Sequence, residues 1–243
     1  MRFSSYDELI KNILSQPSEK AKLNTIIKYF IDNVEYDYVM IEHVNEIVTP
    51  RFAKYADLLF SGTSSDLRQK AINFMRNSSN ISNQYWIRLR EIYLTPQIDK
   101  HGNLKSVSML EALNLMSPDV VEINGLLIKG TSEHICTFAK KLCDEVGIQS
   151  LIVKGVSSGR MTHNWLDIKL DEEELFYDIS YALYVRDNFC RIASRYTIED
   201  WLGMSPKQLY KNQCTRNIIS PSGFNLKNLW LNNYPLNMIN AQH

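Results

Sequence analysis

Two candidate nucleophiles stand one helical turn apart in the stretch GTSEHICTFAKKLCDEVGI, Ser132 and Cys136, and the downstream stretches THNWLDI and LFYDIS add His163 and Asp178. A hydroxyl or thiol becomes a useful nucleophile when a histidine takes its proton and a third group fixes that histidine's tautomer. This set supplies all three roles. The unpaired N–H groups and positive dipole end of a helix N-terminus stabilise a thiolate and a developing oxyanion, which favours a nucleophile in the first turn. Ser132, directly after Gly130-Thr131, has that position. Cys136 lies a turn deeper, in register with Ala139, Cys143 and Val146, the apolar stripe expected to face the core. A serine here can also be a plain helix cap, a task Thr131 performs equally well. Asp178, flanked by apolar residues, is unfavourable to bury without a partner, and an imidazole is the simplest one.

These residues need a helix and strands to hold them. The helix opens on the Gly-Thr-Ser turn and closes on Gly147; QSLIVKGV reads as a short buried strand, MTHNWLDIKL as a second, and LFYDISYALYV as a third beyond the acidic turn DEEE. His163 and Asp178 are thus each expected on a strand, flanking one turn. A helix followed by antiparallel strands is an α+β signature. Upstream the patterns are helical: SSYDELIKNIL and SEKAKLNTIIKYFIDNV carry serine caps and apolar stripes, and three further helical runs lie between Pro50 and Met116. EYDYVMIEHV suits a strand or an extended entry, TPQIDKHGN a polar loop, and TIEDWLGM and SPKQLYK two short helices. Asn77 and Asn80 head glycosylation sequons, which matter only in a secreted chain.

Composition narrows the classes. The 243 residues contain 27 Lys+Arg and 27 Asp+Glu, so the net charge is zero and no global field draws nucleic acid or an anionic membrane. No secretory h-region or membrane-spanning run occurs, and the expected location is the cytoplasm. Cys136, Cys143, Cys190 and Cys214 form no CxxC pair, which argues for reduced thiols over a zinc knuckle or disulfide framework. No motif calls for a cofactor or metal. The isolated His134-x-Cys136 places its two side chains on different helix faces.

The stretch 129–182 resembles the core of the transglutaminase-like superfamily, the papain-fold group that includes transglutaminases, peptide N-glycanases and many bacterial cysteine peptidases. Gly130, Gly147-Ile148, Gly155, His163, Trp165 and Asp178 match its pattern, and IIKYFIDNVEYDY is similar to the helix and Tyr-Asp element that precede this core. The resemblance implies an α+β domain over 1–243: a papain-like core with its active-site helix packed on an antiparallel sheet, a mainly helical N-terminal half, and a helical insertion over 43–128. It implies thiol-type amide acyl transfer or hydrolysis on a peptide or protein substrate through a triad of position 132, His163 and Asp178, with Trp165 packing on the helix. The departure is Ser132, which stands where the family has its cysteine. Three readings follow: a cysteine replaced to disable the protein, a natural serine variant or inactive binding module, or Cys136 as the nucleophile.

Overall fold

Helix α1 (Tyr6–Leu14) starts where the Ser5 side chain accepts the Glu8 N–H, and α2 (Glu19–Asn33) where Ser18 accepts that of Ala21. The stripe Leu23, Ile26, Ile27 and Phe30 turns inward from α2. A computed structural model describes residues 2–45, 50–61, 64–78, 82–156, 162–171, 173–188 and 195–213. It is a mixed α+β structure in two compact units, Met1–Tyr36 with Asp119–His243 in one and Asp37–Pro118 in the other.

Among the described residues the first unit carries two sheets. In the smaller, β1 (Glu35–Tyr36) runs parallel to β5 (Leu126–Gly130), which pairs antiparallel with β4 (Val121–Ile123). The β4–β5 turn is Asn124-Gly125, both at positive φ (51° and 76°), the backbone that favours Asn-Gly in a two-residue hairpin. The larger sheet is antiparallel, in the order β6 (Ser150–Val156), β7 (Thr162–Leu170), β8 (Glu173–Tyr177), β9 (Leu202–Met204).

Helix α8 (Ser132–Glu145) packs on β6 and β7. It ends at Gly147, whose φ of 81° lets the Ile148 N–H reach the Cys143 carbonyl and the Gly147 N–H reach that of Asp144. This 6→1 and 5→2 pair of bonds satisfies carbonyls that the helix end leaves free. Helix α2 is joined to α8 by Tyr29 and Phe30 against Phe138, with ring centroids 5.9 and 6.1 Å apart. It is joined to α9 (Ile179–Arg186) by Arg186, which donates to the Ile31 and Val34 carbonyls at 2.8 and 2.9 Å, a cation on a helix C-terminus.

Several expectations are corrected. EYDYVMIEHV is a two-residue strand followed by α3 (Tyr38–Asn45), and TPQIDKHGN is a small hairpin, β2 (Gln97–Ile98) with β3 (Leu104–Lys105). The Asp99 carboxylate organises that hairpin by accepting the His101 and Asn103 N–H groups. TIEDWLGM is one 3-10 turn, Ile198–Trp201, running into β9, whereas the helix expected at SPKQLYK is present as α10 (Pro206–Gln213). The third expected strand stops at Tyr177. Asp178 is the N-cap of α9, because its Oδ1 accepts the Tyr181 N–H at 3.0 Å and starts a helix there. Cys190 and Cys214 lie outside the described residues.

In the second unit, α4 (Pro50–Phe60), α5 (Ser65–Ser78), α6 (Asn83–Leu94) and α7 (Met109–Asn114) accompany α3. They enclose a core that includes Phe52, Ala56, Tyr85, Leu89 and Leu113. Asp37, fully buried, meets Arg88 Nη1 through both carboxylate oxygens at 3.1 Å, and Arg88 also donates to the Ser117 carbonyl.

Candidate active site

His163 enters β7 opposite Gly155 of β6. That glycine is required by its neighbour, since a Cβ at position 155 would lie 2.3 Å from Cη2 of Trp165. Trp165 is completely buried, in a cluster with Phe176, Ala182, Trp201 and Leu209. The sequence placed this tryptophan against α8. The cluster sets it among side chains of the sheet, the Ile198–Trp201 turn, α9 and α10. Because side chains alternate along a strand, His163 shares the Trp165 face and meets α9, where its ring lies edge-on to Tyr181 at 5.5 Å.

His163 and Asp178 are joined. Nε2 of His163 lies 2.8 Å from Oδ2 of Asp178, with His163 7% exposed and Asp178 fully buried. A carboxylate only accepts, so Nε2 carries the proton and Nδ1 is left as the basic nitrogen. Asp178 has a double function: Oδ2 orients the imidazole while Oδ1 caps α9. Its own N–H donates to the Trp201 carbonyl at 2.8 Å, which holds the backbone of the cap in place.

Ser132 is the first residue of α8, behind the N-cap Thr131, and is 7% exposed. Thr131 turns to His134, with Oγ1 2.8 Å from Nδ1. The Ser132 N–H, one of the helix donors with no partner inside α8, donates to the Tyr36 hydroxyl at 3.3 Å. No hydrogen bond joins Ser132 to His163. The structure therefore links two of the three sequence-chosen residues directly, and ties the third to Tyr36.

Tyr36 is the site residue that sequence reasoning did not select. It is 7% exposed and sits in β1 level with Gly130 of β5, two residues before the nucleophile position. A chain of aromatic rings connects it to the histidine: Tyr36 to Tyr184 at 5.5 Å, Tyr184 to Tyr181 at 5.5 Å, Tyr181 to His163 at 5.5 Å. Burial pushes the Tyr36 phenol well above its ordinary pKa, opposed by the hydrogen bonds from Ser132 and reinforced by the charge of Asp178. It stays protonated at any physiological pH. The only sequence signal for it was its place in the Tyr-Asp element, since nothing in spacing connects position 36 to position 132.

Cys136 is fully buried on the inner face of α8, and desolvation, followed by the nearby Asp178 charge, raises its thiol pKa well above the usual value. A thiol held protonated in a dry core is a packing group. Cys143 is likewise buried, its pKa pushed up to about 11 by desolvation. Among the described residues no group of three or more His, Cys, Asp or Glu side chains is arranged to hold a metal, and no helix is long and apolar enough to cross a membrane.

No family model matches the chain, and no solved structure matches it. Among curated proteins, a DNA polymerase III PolC-type of Clostridium perfringens (strain 13 / Type A) is 31% identical over 122 residues. That match covers 44% of this chain, which spans 8% of the polymerase's length.

Proposed function

We propose that the first unit is a papain-like, transglutaminase-like core built for amide acyl transfer or hydrolysis, with Ser132 in the nucleophile position. The buried His163–Asp178 pair at 2.8 Å carries this reading, because it leaves Nδ1 of a tautomer-fixed imidazole on the unit that also presents the N-terminus of α8. With a thiol at position 132, His163 takes its proton and the sulfur attacks a peptide or glutamine carbonyl carbon. The oxyanion forms beside the N–H groups of the first helical turn. Collapse breaks the C–N bond, His163 protonates the departing amine, and water or a second amine releases the acyl group. The partial likeness to a polymerase does not enter this reading, since a net charge of zero offers no general attraction for nucleic acid.

A serine hydroxyl holds its proton far more tightly than a thiol, so the chain with Ser132 is expected to be nearly inactive. A second reading, a peptide-binding module that keeps the frame without the chemistry, is favoured by that serine and by the lack of a Ser132–His163 hydrogen bond. Ser132→Cys separates the two. Assayed on peptide amides and glutamine donors, the variant is expected to gain iodoacetamide-sensitive turnover at least about 100-fold above the parent. A folded variant that stays silent while binding peptides would establish the module instead.

A further inference from the structure

The buried acid, base and amide side chains of β7 differ in what they meet. His163 is bonded to Asp178 at 2.8 Å, and Asp167 is paired with Glu174. Asn164 is 5% exposed, and its side-chain oxygen is buried with no hydrogen-bond partner among the described residues. An acceptor left unpaired in a dry interior costs stability, so one that persists in a native fold calls for a reason. Strand alternation sets Asn164 on the face opposite His163, together with Leu166 and Ile168, which are both buried. Its cross-strand partner Lys154 stands on that same face and brings Nζ to 3.7 Å from Oε1 of Glu133, in the first turn of α8. The unpaired amide is therefore level with the helix end that carries Ser132. His163 and Asn164 straddle the start of β7 at that level.

We propose that Asn164 is the specificity-determining residue of this site: its oxygen is kept for the N–H of the amide that reacts, so the site takes amides that carry an N–H and turns away esters. The inference rests on the acyl-transfer reading above. An amide substrate brings what the protein withholds from Asn164, a hydrogen-bond donor. An ester of the same shape brings an oxygen in place of that donor and leaves the Asn164 acceptor unpaired. Sites built around a hydrogen bond to a substrate N–H reject the analogue that lacks it for this reason. Esters are the more reactive acyl donors, so a preference for amides has to come from the protein. The terminal torsion of an asparagine is soft, and turning the amide toward an entering substrate needs no backbone movement. The cost of the unpaired oxygen in the free protein is then offset when substrate binds.

The test compares Ser132→Cys with Ser132→Cys/Asn164→Val on a peptide p-nitroanilide and on the matching p-nitrophenyl ester, in which oxygen replaces the N–H. In the double variant kcat/KM for the anilide is expected to fall at least about tenfold, while that for the ester holds within about twofold. The Tm is expected to rise by about 2–4 °C, because valine removes an unpaired acceptor and suits a strand. Equal losses on the two substrates, with or without a fall in Tm, make Asn164 a structural group and overturn the proposal. An anilide loss under about threefold overturns it as well. Both of these results leave the acyl-transfer reading standing. If Asn164→Val does not fold, Asn164→Ser, whose hydroxyl is too short to take the place of the amide oxygen, is read by the same ratio of anilide to ester. A folded Ser132→Cys that turns over neither substrate overturns the acyl-transfer reading and this inference together.

Discussion

Asp37 in the second unit and Asp178 in the first are both completely buried, and the difference between their partners separates a staple from a candidate active site. Asp37 meets a guanidinium, which is always charged and takes both carboxylate oxygens at 3.1 Å. Such a pair fixes structure. Asp178 meets an imidazole through one oxygen and a helix N–H through the other. The imidazole keeps a second nitrogen, Nδ1, the atom placed to take and return a proton. Burial of an acid therefore says little about function until its partner is known.

Asp178→Asn is the strongest way to break the comparison. The amide oxygen can still cap α9, so the fold is expected to hold, while the histidine is no longer fixed with its proton on Nε2. In the Ser132→Cys background, kcat is expected to fall by about 10³–10⁴-fold, measured together with Tm to show that stability barely changes. A loss of folding in proportion to activity would make Asp178 a second staple. Arg88→Met is the converse case: it leaves Asp37 buried without its guanidinium and is expected to cost about 3–5 kcal/mol, read by urea unfolding. A cost under about 1 kcal/mol would show that the pair behaves like one at the surface.

A third buried acid sharpens the contrast with the smallest effect. Asp167 on β7 is 6% exposed, and desolvation followed by Glu174 on β8 raises its pKa from 3.8 to about 7. A folded-state pKa above the unfolded one means that the native protein holds this proton more tightly. The resulting stability is complete below about pH 4 and is lost as pH rises through about 7. Allowing for water at the pair, the loss should be on the order of 1 kcal/mol, or about 3 °C in Tm. Asp167→Asn is expected to flatten the Tm–pH curve across that window, and an unchanged slope would exclude the pair as its cause.

Much of the frame was legible because the signals are local. Ser5 and Ser18 announce their helices through bonds to N–H groups three residues on, and Gly147 ends α8 through a positive φ that glycine adopts freely. The α8 positions of Ser132 and Cys136 follow from helical phase alone. Asp178 was chosen for its need of a partner but set on a strand, since apolar flanks on either side resemble a strand's continuation, and only the Tyr181 N–H reveals the cap. The β4–β5 hairpin carried a readable Asn124-Gly125 signal that was passed over. Tyr36 was out of reach for another reason: its contact with Ser132 spans 96 positions and depends on the parallel pairing of two short strands, which no local pattern encodes.

The shared carboxylate of Asp178 also sets an order of failure on warming. The oxygen that steadies the imidazole belongs to the residue that begins α9, so fraying of one helical turn releases the base before any strand separates. Activity in a thiol-restored protein should accordingly fade some degrees below the loss of sheet structure, and the Tyr181 amide should exchange its hydrogen ahead of those in β7. The catalytic lifetime of such a protein would be limited by its most easily opened hydrogen bond, whatever the stability of the fold around it.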